Sequence, residues 1–442
     1  MVSALALLPQ DAPDPPVARL EVGGRPTVIS RSDVARDVAI RYRRSEGGEQ
    51  AVKLLVDRHL VETEARAKEL WPSDADRERW TDRIRREVER AGQTLEALLA
   101  SKRMTWDEFQ RNEVALVAAH ESLVREALEL GAKDPVSIEL QQLWLSEARG
   151  RHRIVTDPEE LPPGIVATVD DARYDLADLG RVLLPNLDDE DYDGFVRRLA
   201  LRMLVEHEAE TLGVEVTEAD TRAEIERRKQ RVAADPRFRG ASYEQWLLQT
   251  QGMTVDELAR SDQMIATVRQ RAIVSARYPD EAVDRMLEED RDAILDRHGE
   301  RRKVSMILLR ATDNDNPLIP RTFAEAKERA AEIRADIAEG MAFANAARVH
   351  SEDPYSKVRG GEIGAFTRAD DRAPEAVRAA AFGLPAGGVS EPVTVDQGVV
   401  LVRVDEVIPA PPPAVLRQRL RDELSQRVLR DLLEASNLEI LD

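Results

Sequence analysis

Residues that could carry covalent or metal chemistry are sparse in this sequence. Cysteine is absent, which excludes a disulfide, a thiolate metal site and a thiol nucleophile. The histidines show neither the HxxxH nor the HExxH spacing of a helical metal site, so we expect no metal and no other cofactor. They are His59, His120, His152, His207, His298 and His350. No glycine-rich phosphate loop precedes a helix, so nucleotide dependence is not indicated.

One stretch, HSEDPYSKVRGGEIGAFTR at residues 350–368, gathers the remaining candidates for a site. It combines a carboxylate at Asp353, adjacent glycines at Gly360 and Gly361, and apolar side chains at Ile363 and Phe366. Adjacent glycines permit a backbone turn that other residues resist. What this turn serves depends on the elements around it.

Charge and hydropathy narrow the class of partner. The chain has 64 Lys and Arg against 84 Asp and Glu, a formal net charge of -20, which argues against nucleic acid or an anionic membrane as the main partner. Basic clients remain possible. No segment approaches the ~18 to 20 apolar residues of a membrane helix, so we expect no membrane insertion.

An internal repeat predicts two related helical modules. KRMTWDEFQRNE at residues 102–113 is echoed by QGMTVDELARSD at residues 251–262, and both contain the Thr-x-x-Glu spacing of a helix capping box. Each copy is preceded by a segment whose apolar spacing predicts an amphipathic helix, and further upstream by a short predicted hairpin. The hairpin turns lie at Gly23-Gly24 and at Asp170-Asp171. We therefore predict a first module at 17–134 and a second at 135–300.

The remaining segments complete the predicted organisation. Residues 1–16 are either the trimmed end of a signal segment or a disordered, proline-rich leader. Residues 301–408 read as strand, helices, Gly-Gly strand, helix and a valine-rich hairpin, a small α+β domain. Residues 409–442 comprise a stiff PAPPP linker, an amphipathic helix and an edge strand. The fold class is therefore α+β and mostly helical.

The sequence of this α+β segment resembles the parvulin family of peptidyl-prolyl isomerases. VSMILLRA is similar to the family's first strand, FANAARVHSEDPYSKVRGGEIGAF to its helix, loop and second strand, and AAFGLPAGGVSEPV with GVVLVRV to its closing half. The flanking regions are similar to those of SurA-like and PrsA-like envelope chaperones. That resemblance implies a periplasmic or envelope location, although composition fits the cytosol equally, and a C-terminal tail that packs back on a helical module.

The resemblance also implies a site. Its apolar slot for a proline ring would be built from Ile363, Phe366, Val377 and Phe382, with Val377 in place of the usual Phe. The family's two histidines are replaced by Met306 and Val400, which would line the slot, and Val395 replaces a frequent Thr. Asp353 matches the Cys-or-Asp position and is the one catalytic candidate. His350 ends a helix at a place usually taken by an aromatic residue, which favours packing.

Three functions follow from these expectations. In the first, the chain is a parvulin-type isomerase and chaperone that binds unfolded client proteins and X-Pro peptides and assists their folding. Alternatively, it is a non-enzymatic holdase whose catalytically degenerate parvulin domain binds without catalysing. Apolar binding and desolvation alone would still support weak isomerase activity. A purely structural assembly role is favoured only if no unfolded client binds.

Overall fold

A computed structural model describes residues 14–131, 134–234, 238, 240, 242–251, 253–314, 319 and 321–441. The chain divides into two compact units, one of Met1–Gly213 with Leu429–Asp442 and the other of Val214–Val428. We call them unit 1 and unit 2. Most of the predicted leader at 1–16 lies outside the described residues. The finer borders predicted at 134, 300 and 408 stay a sequence-based prediction.

The elements alternate between short strands and many helices. The strands are β1 (Pro16–Val22), β2 (Arg25–Ser30), β3 (Ile154–Val155), β4 (Ile165–Val169), β5 (Ala172–Asp175), β6 (Arg301–Arg310), β7 (Glu362–Phe366), β8 (Val393–Val395), β9 (Gly398–Ile408) and β10 (Glu439–Ile440). The helices are α1 (Arg31–Tyr42), α2 (Glu46–Ala67), α3 (Asp74–Arg90), α4 (Leu95–Ser101), α5 (Trp106–Phe109), α6 (Ala115–Ala127), α7 (Ile138–Arg151), α8 (Leu176–Leu183), α9 (Asp189–Thr211), α10 (Glu218–Ala234), α11 (Tyr243–Gln251), α12 (Val255–Ala259), α13 (Asp262–Arg277), α14 (Asp280–Glu289), α15 (Arg291–His298), α16 (Phe323–Ala338), α17 (Phe343–His350), α18 (Pro354–Lys357), α19 (Glu375–Phe382) and α20 (Pro413–Ala435). A π-helical turn at Gln110–Val114 joins α5 to α6, and a 3₁₀ turn at Leu184–Asn186 follows α8.

The prediction of two related copies, each led by a hairpin, is confirmed by the order of elements. The hairpin β1–β2 is followed by α1 to α6, and the hairpin β4–β5 by α8 to α13. Left-handed backbone at Gly23 (φ 57°), Gly24 (φ 73°) and Asp170 (φ 51°) closes the two turns. The predicted capping boxes are also present, because Thr105 and Thr254 cap α5 and α12 together with glutamates three residues on.

In unit 1, the first helices of the two copies pack at very close range. A Cβ placed on Gly180 of α8 would lie 1.8 Å from the carbonyl oxygen of Ala35 in α1, so only glycine fits between these backbones. The buried side chains around this contact come from both copies, for example Val38 and Leu60 from the first and Leu179 from the second. The two hairpin-led segments therefore share one hydrophobic core.

The C-terminal tail completes a sheet of unit 1. Strand β10 pairs antiparallel with β1, placing Ala18 opposite Ile440, and the sheet order is β10-β1-β2. The backbone N–H of Glu21 donates to the carbonyl of Ser436 over 2.7 Å. Leu438 and Ile440 pack against the shared core. The tail thus covers the free edge of the first copy's hairpin.

Unit 2 contains a helical part and a four-stranded sheet. The helical part has its own small core, formed by Ile225, Tyr243, Leu247, Leu258, Ala259, Met264 and Val268. The sheet is antiparallel, in the order β7-β6-β9-β8. Strand alternation divides its side chains between two faces. Ile307 and Leu401 face α16 and α17, whereas Leu308 and Val402 face α19.

Candidate functional site

The six apolar residues predicted to line the slot lie in one cluster on the α19 face of the sheet. Phe366, Val377 and Val400 are buried within it, with 4%, 0% and 2% of their surface exposed. The other three, Met306, Ile363 and Phe382, are only partly buried and pack against this floor. We call these six residues the groove. It presents three accessible apolar side chains over a closed apolar base.

The positions where parvulins usually carry histidine lie in the central strands of the sheet. Met306 is opposite Val402, and Val400 is opposite Leu308. Val395, the last residue of β8, packs against the same cluster. No imidazole or hydroxyl therefore lies at these three positions, and the inner surface of the groove is apolar.

His350 does not take the place of the missing histidines. It ends α17, whose buried residues Ala346 and Ala347 belong to the opposite face of the sheet. Its Nδ1 lies 3.5 Å from the guanidinium of Arg329. Burial, together with the positive charge of Arg329, lowers the pKa of His350 below its ordinary value of 6.5. This environment is that of a packed helix end.

Asp353, the predicted catalytic carboxylate, acts as the N-cap of α18. Its Oδ2 accepts the backbone N–H of Ser356 over 2.9 Å and also accepts the hydroxyl of Ser356. The neighbouring hydroxyl of Ser351 accepts the backbone N–H of Leu308 in β6 over 3.2 Å. The carboxylate is thus engaged in holding the loop beside the sheet.

The Gly-Gly turn brings this loop against β6. Gly360 (φ 68°) and Gly361 (φ 91°) both adopt left-handed backbone. A Cβ on Gly361 would lie 2.6 Å from the carbonyl oxygen of Met306, while the N–H of Met306 donates to the carbonyl of Gly361 over 2.8 Å. Only glycine permits this approach, which positions β7 and with it Ile363 and Phe366.

Two arginines that sequence reasoning missed lie against the partly buried ring of Phe382 at the edge of the groove. The guanidinium carbons of Arg302 and Arg368 lie 5.3 Å and 4.6 Å from the centroid of the Phe382 ring. Arg302 is mostly buried, donates to the carbonyl of Leu384 over 3.2 Å and pairs with Glu300 at 2.8 Å. Such cation–π contacts give the groove a positively charged rim. The sequence places Arg302 in β6 and Arg368 just after β7, but it does not show that both reach one aromatic ring.

Unit 1 exposes several large apolar side chains, most of them on or at the ends of its helices. Trp106 at the start of α5 is 46% exposed and lies beside Phe109, and Ile138 at the start of α7 is 72% exposed. Other exposed apolar side chains of unit 1 are Val28, Ile40, Leu54, Val117, Leu128, Leu143 and Leu212. Helical surfaces of this kind offer contacts for apolar polypeptide segments.

No group of three or more His, Cys, Asp or Glu side chains is placed to hold a metal ion within the described ranges. None of the helices in those ranges combines the length and apolar character that crossing a membrane requires.

Comparison with known proteins identifies the sheet segment. Residues 307–406 match the sequence profile of the rotamase family, described as the PPIC-type PPIase domain. The chain is 32% identical over 128 residues to foldase protein PrsA 3 of Bacillus anthracis, covering 26% of this chain and 44% of that protein. It is 35% identical over 108 residues to foldase protein PrsA of Streptococcus gordonii, covering 24% and 35%. The chain thus spans less than half the length of these relatives.

A solved structure of PrsA from Bacillus anthracis, described as a peptidylprolyl isomerase, is also similar. It is 17% identical, covers 54% of this chain and 94% of its own, and gives a TM-score of 0.27. The expected resemblance to PPIC-type isomerase domains is confirmed by the family match at residues 307–406.

Proposed function

We propose that this protein is a foldase-type chaperone that binds unfolded polypeptides and receives their proline residues in the groove. The observation that carries the proposal is the arrangement of three accessible apolar side chains, Met306, Ile363 and Phe382, over a buried apolar floor. A proline ring is apolar and rigid, so it can enter such a surface at little cost in conformational entropy. The match to the PPIC-type family and to PrsA foldases supports this substrate class.

The same geometry favours binding over fast catalysis. Rotation about an X-Pro bond has a barrier of roughly 18–20 kcal/mol, because it breaks amide resonance. Polar groups aimed at the twisted amide would lower the barrier further than desolvation alone. Met306, Val395 and Val400 supply none, and Asp353 already accepts two hydrogen bonds from Ser356. We therefore propose that isomerisation by this domain is slow.

Isomerase activity at the rate of an ordinary parvulin is the second candidate function. It is favoured by the match of residues 307–406 to the PPIC-type PPIase family. An apolar, water-excluding groove also promotes rotation of the amide bond, because the twisted amide is less polar than the planar one. The two candidates share the client class and differ in the rate.

An envelope location belongs to the proposal, since it is what the resemblance to SurA-like and PrsA-like chaperones implies. The helical surfaces of unit 1 would then contact apolar segments of the same clients, with Trp106 and Ile138 among the exposed side chains. This division of work assigns proline to the groove and longer apolar stretches to the helices.

Exchange NMR on a panel of Ala-Leu-Pro-Phe-type peptides with the full chain tests both candidates at once. We expect the proline resonances to shift on binding, while the cis–trans exchange rate stays within about tenfold of the rate in free solution, as expected when polar stabilisation is missing. Phe382→Ala should weaken binding roughly tenfold, since it removes the aromatic ring that the bound proline would cover.

Val349→Ala is the matched control, because Val349 is 66% exposed on α17 and lies outside the groove. It should leave the affinity unchanged. Exchange accelerated a hundredfold or more and lost in Phe382→Ala would establish the isomerase instead. An absence of any peptide-dependent shift would contradict the proposed function in both forms.

A further inference from the structure

Unit 2 contains an open cleft of about 420 Å³ beside the groove. It lies where the end of α15, the start of β6, the segment after β7 and one face of α20 meet. Its lining residues are Arg297, His298, Arg301, Ala365, Thr367, Ala369, Asp370, Arg372 and Arg419. Four of them are arginines and one is an acid, in a chain whose formal net charge is -20.

The arginines that have a carboxylate partner can be separated from those that have none. Arg372 donates to Asp370 over 2.8 Å, and Arg297 donates to Glu423 over 3.1 Å. Within the described ranges, Arg419 donates only to a backbone oxygen, the carbonyl of His298, over 2.7 Å.

Arg301, at the start of β6, is half-buried and has no ion pair or side-chain hydrogen bond among the described residues. Together with Arg419 it leaves the cleft with two guanidinium groups that no carboxylate in the described part of the chain neutralises. A half-buried guanidinium without a partner is a ready site for a carboxylate, because the planar fork binds both of its oxygens.

The cleft is continuous with the rim of the groove through Arg368. Its two chain neighbours, Thr367 and Ala369, line the cleft, while its own guanidinium lies 4.6 Å from the centre of the Phe382 ring. Arg368 is held by Asp296 of α15 at 3.3 Å, one residue before the cleft residue Arg297. A polypeptide lying over Phe382 therefore has the cleft within reach of its neighbouring residues.

We propose that this cleft binds an Asp or Glu side chain of a client whose proline occupies the groove, so that the protein prefers prolines flanked by acidic residues. The inference rests on the proposed function, and it adds a substrate preference to it. Charge complementarity carries it: the cleft is a local positive site on a strongly acidic chain, which would otherwise repel acidic segments.

The test uses the full chain and fluorescently labelled peptides with one Ala-Leu-Pro-Phe core. The flanks, on either side of the core, carry three Glu, three Gln or three Lys, and a fourth peptide has the Glu flank with proline replaced by alanine. We expect the Glu-flanked peptide to bind about threefold to fivefold more tightly than the Gln-flanked one at low salt, the range of a partly exposed ion pair.

Arg301→Gln should bring that ratio close to one, with little structural cost because the side chain has no partner to lose among the described residues. Arg285→Gln is the matched control, since Arg285 is an exposed arginine of α14 that removes the same charge outside the cleft. Raising the salt concentration should reduce the ratio in the wild type and in Arg285→Gln, because salt screens partly exposed charges.

The outcomes separate this inference from the proposed function. Equal binding of Glu-flanked and Gln-flanked peptides, or a Glu preference that survives in Arg301→Gln, overturns the cleft while leaving the groove in place. If the Glu-flanked peptide with alanine in place of proline binds as tightly as the proline peptide, and its binding depends on Arg301, the cleft is supported but the proline groove is contradicted. Arg301-dependent binding of inorganic phosphate without any peptide binding overturns both, since the cleft would then be a free-anion site.

Discussion

At the residue scale, tightly packed apolar side chains occupy the positions where parvulins usually carry histidine. Val400 is 2% exposed and lies between Leu308 and Val393 in neighbouring strands. An imidazole at that position would need a hydrogen-bond partner in an apolar cluster that offers none, and a buried polar group without a partner costs stability. Met306 is less buried, so the two positions are not equivalent. The apolar character of the groove is therefore a property of its packing and not of one substitution.

A buried histidine in unit 1 predicts a pH dependence of stability. His59 of α2 is 6% exposed and its Nδ1 is hydrogen bonded to the hydroxyl of Tyr174 in β5. Burial lowers the pKa of His59 below its ordinary value of 6.5, and nearby His152 lowers it further against the opposing effect of Asp170. The same burial raises the pKa of Tyr174, so the phenol stays protonated and can donate to His59.

The sign follows from proton binding. Between its lowered folded pKa and 6.5, this histidine binds its proton more readily in the unfolded chain than in the folded one. The free energy of unfolding therefore falls as the pH drops through 6.5 towards the lower folded value. Urea unfolding at pH 7.5, 6.5 and 5.5 measures it, and His59→Gln should give a flatter dependence between the last two. An identical slope in the variant would mean that other groups dominate the pH dependence.

Tyr174→Phe should lower the free energy of unfolding by about 1–3 kcal/mol at pH 7.5, because it leaves the imidazole of His59 buried without its hydrogen-bond donor. The same urea unfolding experiment measures this loss.

Several individual residues were foreseeable from the sequence and others were not. The resemblance to parvulins pointed to the apolar residues that now lie in one cluster, because spacing within a known fold fixes which strand positions share a face. It could not foresee that Arg302 and Arg368 converge on Phe382, since they lie far apart along the chain. Nor did it show that the carboxylate of Asp353 accepts its hydrogen bonds from Ser356, because this contact forms only when Asp353 caps the short helix α18.

At the element scale, the contact between α1 and α8 is the most demanding in unit 1. We expect Gly180→Ala to lower the free energy of unfolding by about 2–4 kcal/mol, because the added methyl would overlap the backbone of Ala35 and force two packed helices apart. Urea unfolding followed by tryptophan fluorescence measures this loss, since most tryptophans belong to unit 1. They are Trp71, Trp80, Trp106 and Trp144.

Gly150→Ala provides the opposite sign in the same unit. Gly150 lies in α7 with nothing within 4 Å of a Cβ placed on it. Alanine there should stabilise by roughly 0.5–1 kcal/mol, since glycine loses more conformational freedom in a helix. If Gly180→Ala were as harmless as Gly150→Ala, the close packing of α1 on α8 would be wrong.

The order of the elements was largely predictable, but their association was not. Hairpin turns, capping boxes and apolar periodicity are local signals, and the hairpins and caps at Thr105 and Thr254 are present. The shared core of the two copies depends on contacts between residues far apart along the chain, such as Ala35 and Gly180, and a single sequence does not show which residues meet. A glycine inside a helical pattern is the one hint, because its usual cost implies a close backbone approach.

At the scale of the whole molecule, the groove and the helical surfaces, to which the proposed function assigns client binding, can be tested separately. The sheet domain enters and leaves through neighbouring strands, since Arg301 and Ile408 are cross-strand partners. Cα atoms of such partners lie about 4.5–5.5 Å apart, so a linker of a few Gly and Ser residues can replace 301–408. The helical core around Leu247 and Met264 lies outside the deleted segment and shares no buried residue with the sheet.

We expect the chain without 301–408 to keep most of its ability to suppress aggregation of diluted, denatured citrate synthase, measured by light scattering. The reason is that the exposed helical side chains, such as Trp106 and Ile138, remain in place. Proline-peptide binding by NMR should be lost in the same protein. Phe382→Ala in the full chain is the control, because it removes the main anchor of the groove while every helix remains.

Aggregation suppression and proline-peptide binding, measured together, decide which part of the molecule binds unfolded clients. Loss of aggregation suppression in a deletion variant that still unfolds cooperatively would assign client binding to the sheet domain, and the helices would then serve only to support it. Retained suppression with lost peptide binding would make the groove an added specificity for proline. That second result is the one the geometry favours, because the groove offers three accessible side chains, too few to hold a long unfolded segment by apolar contact alone.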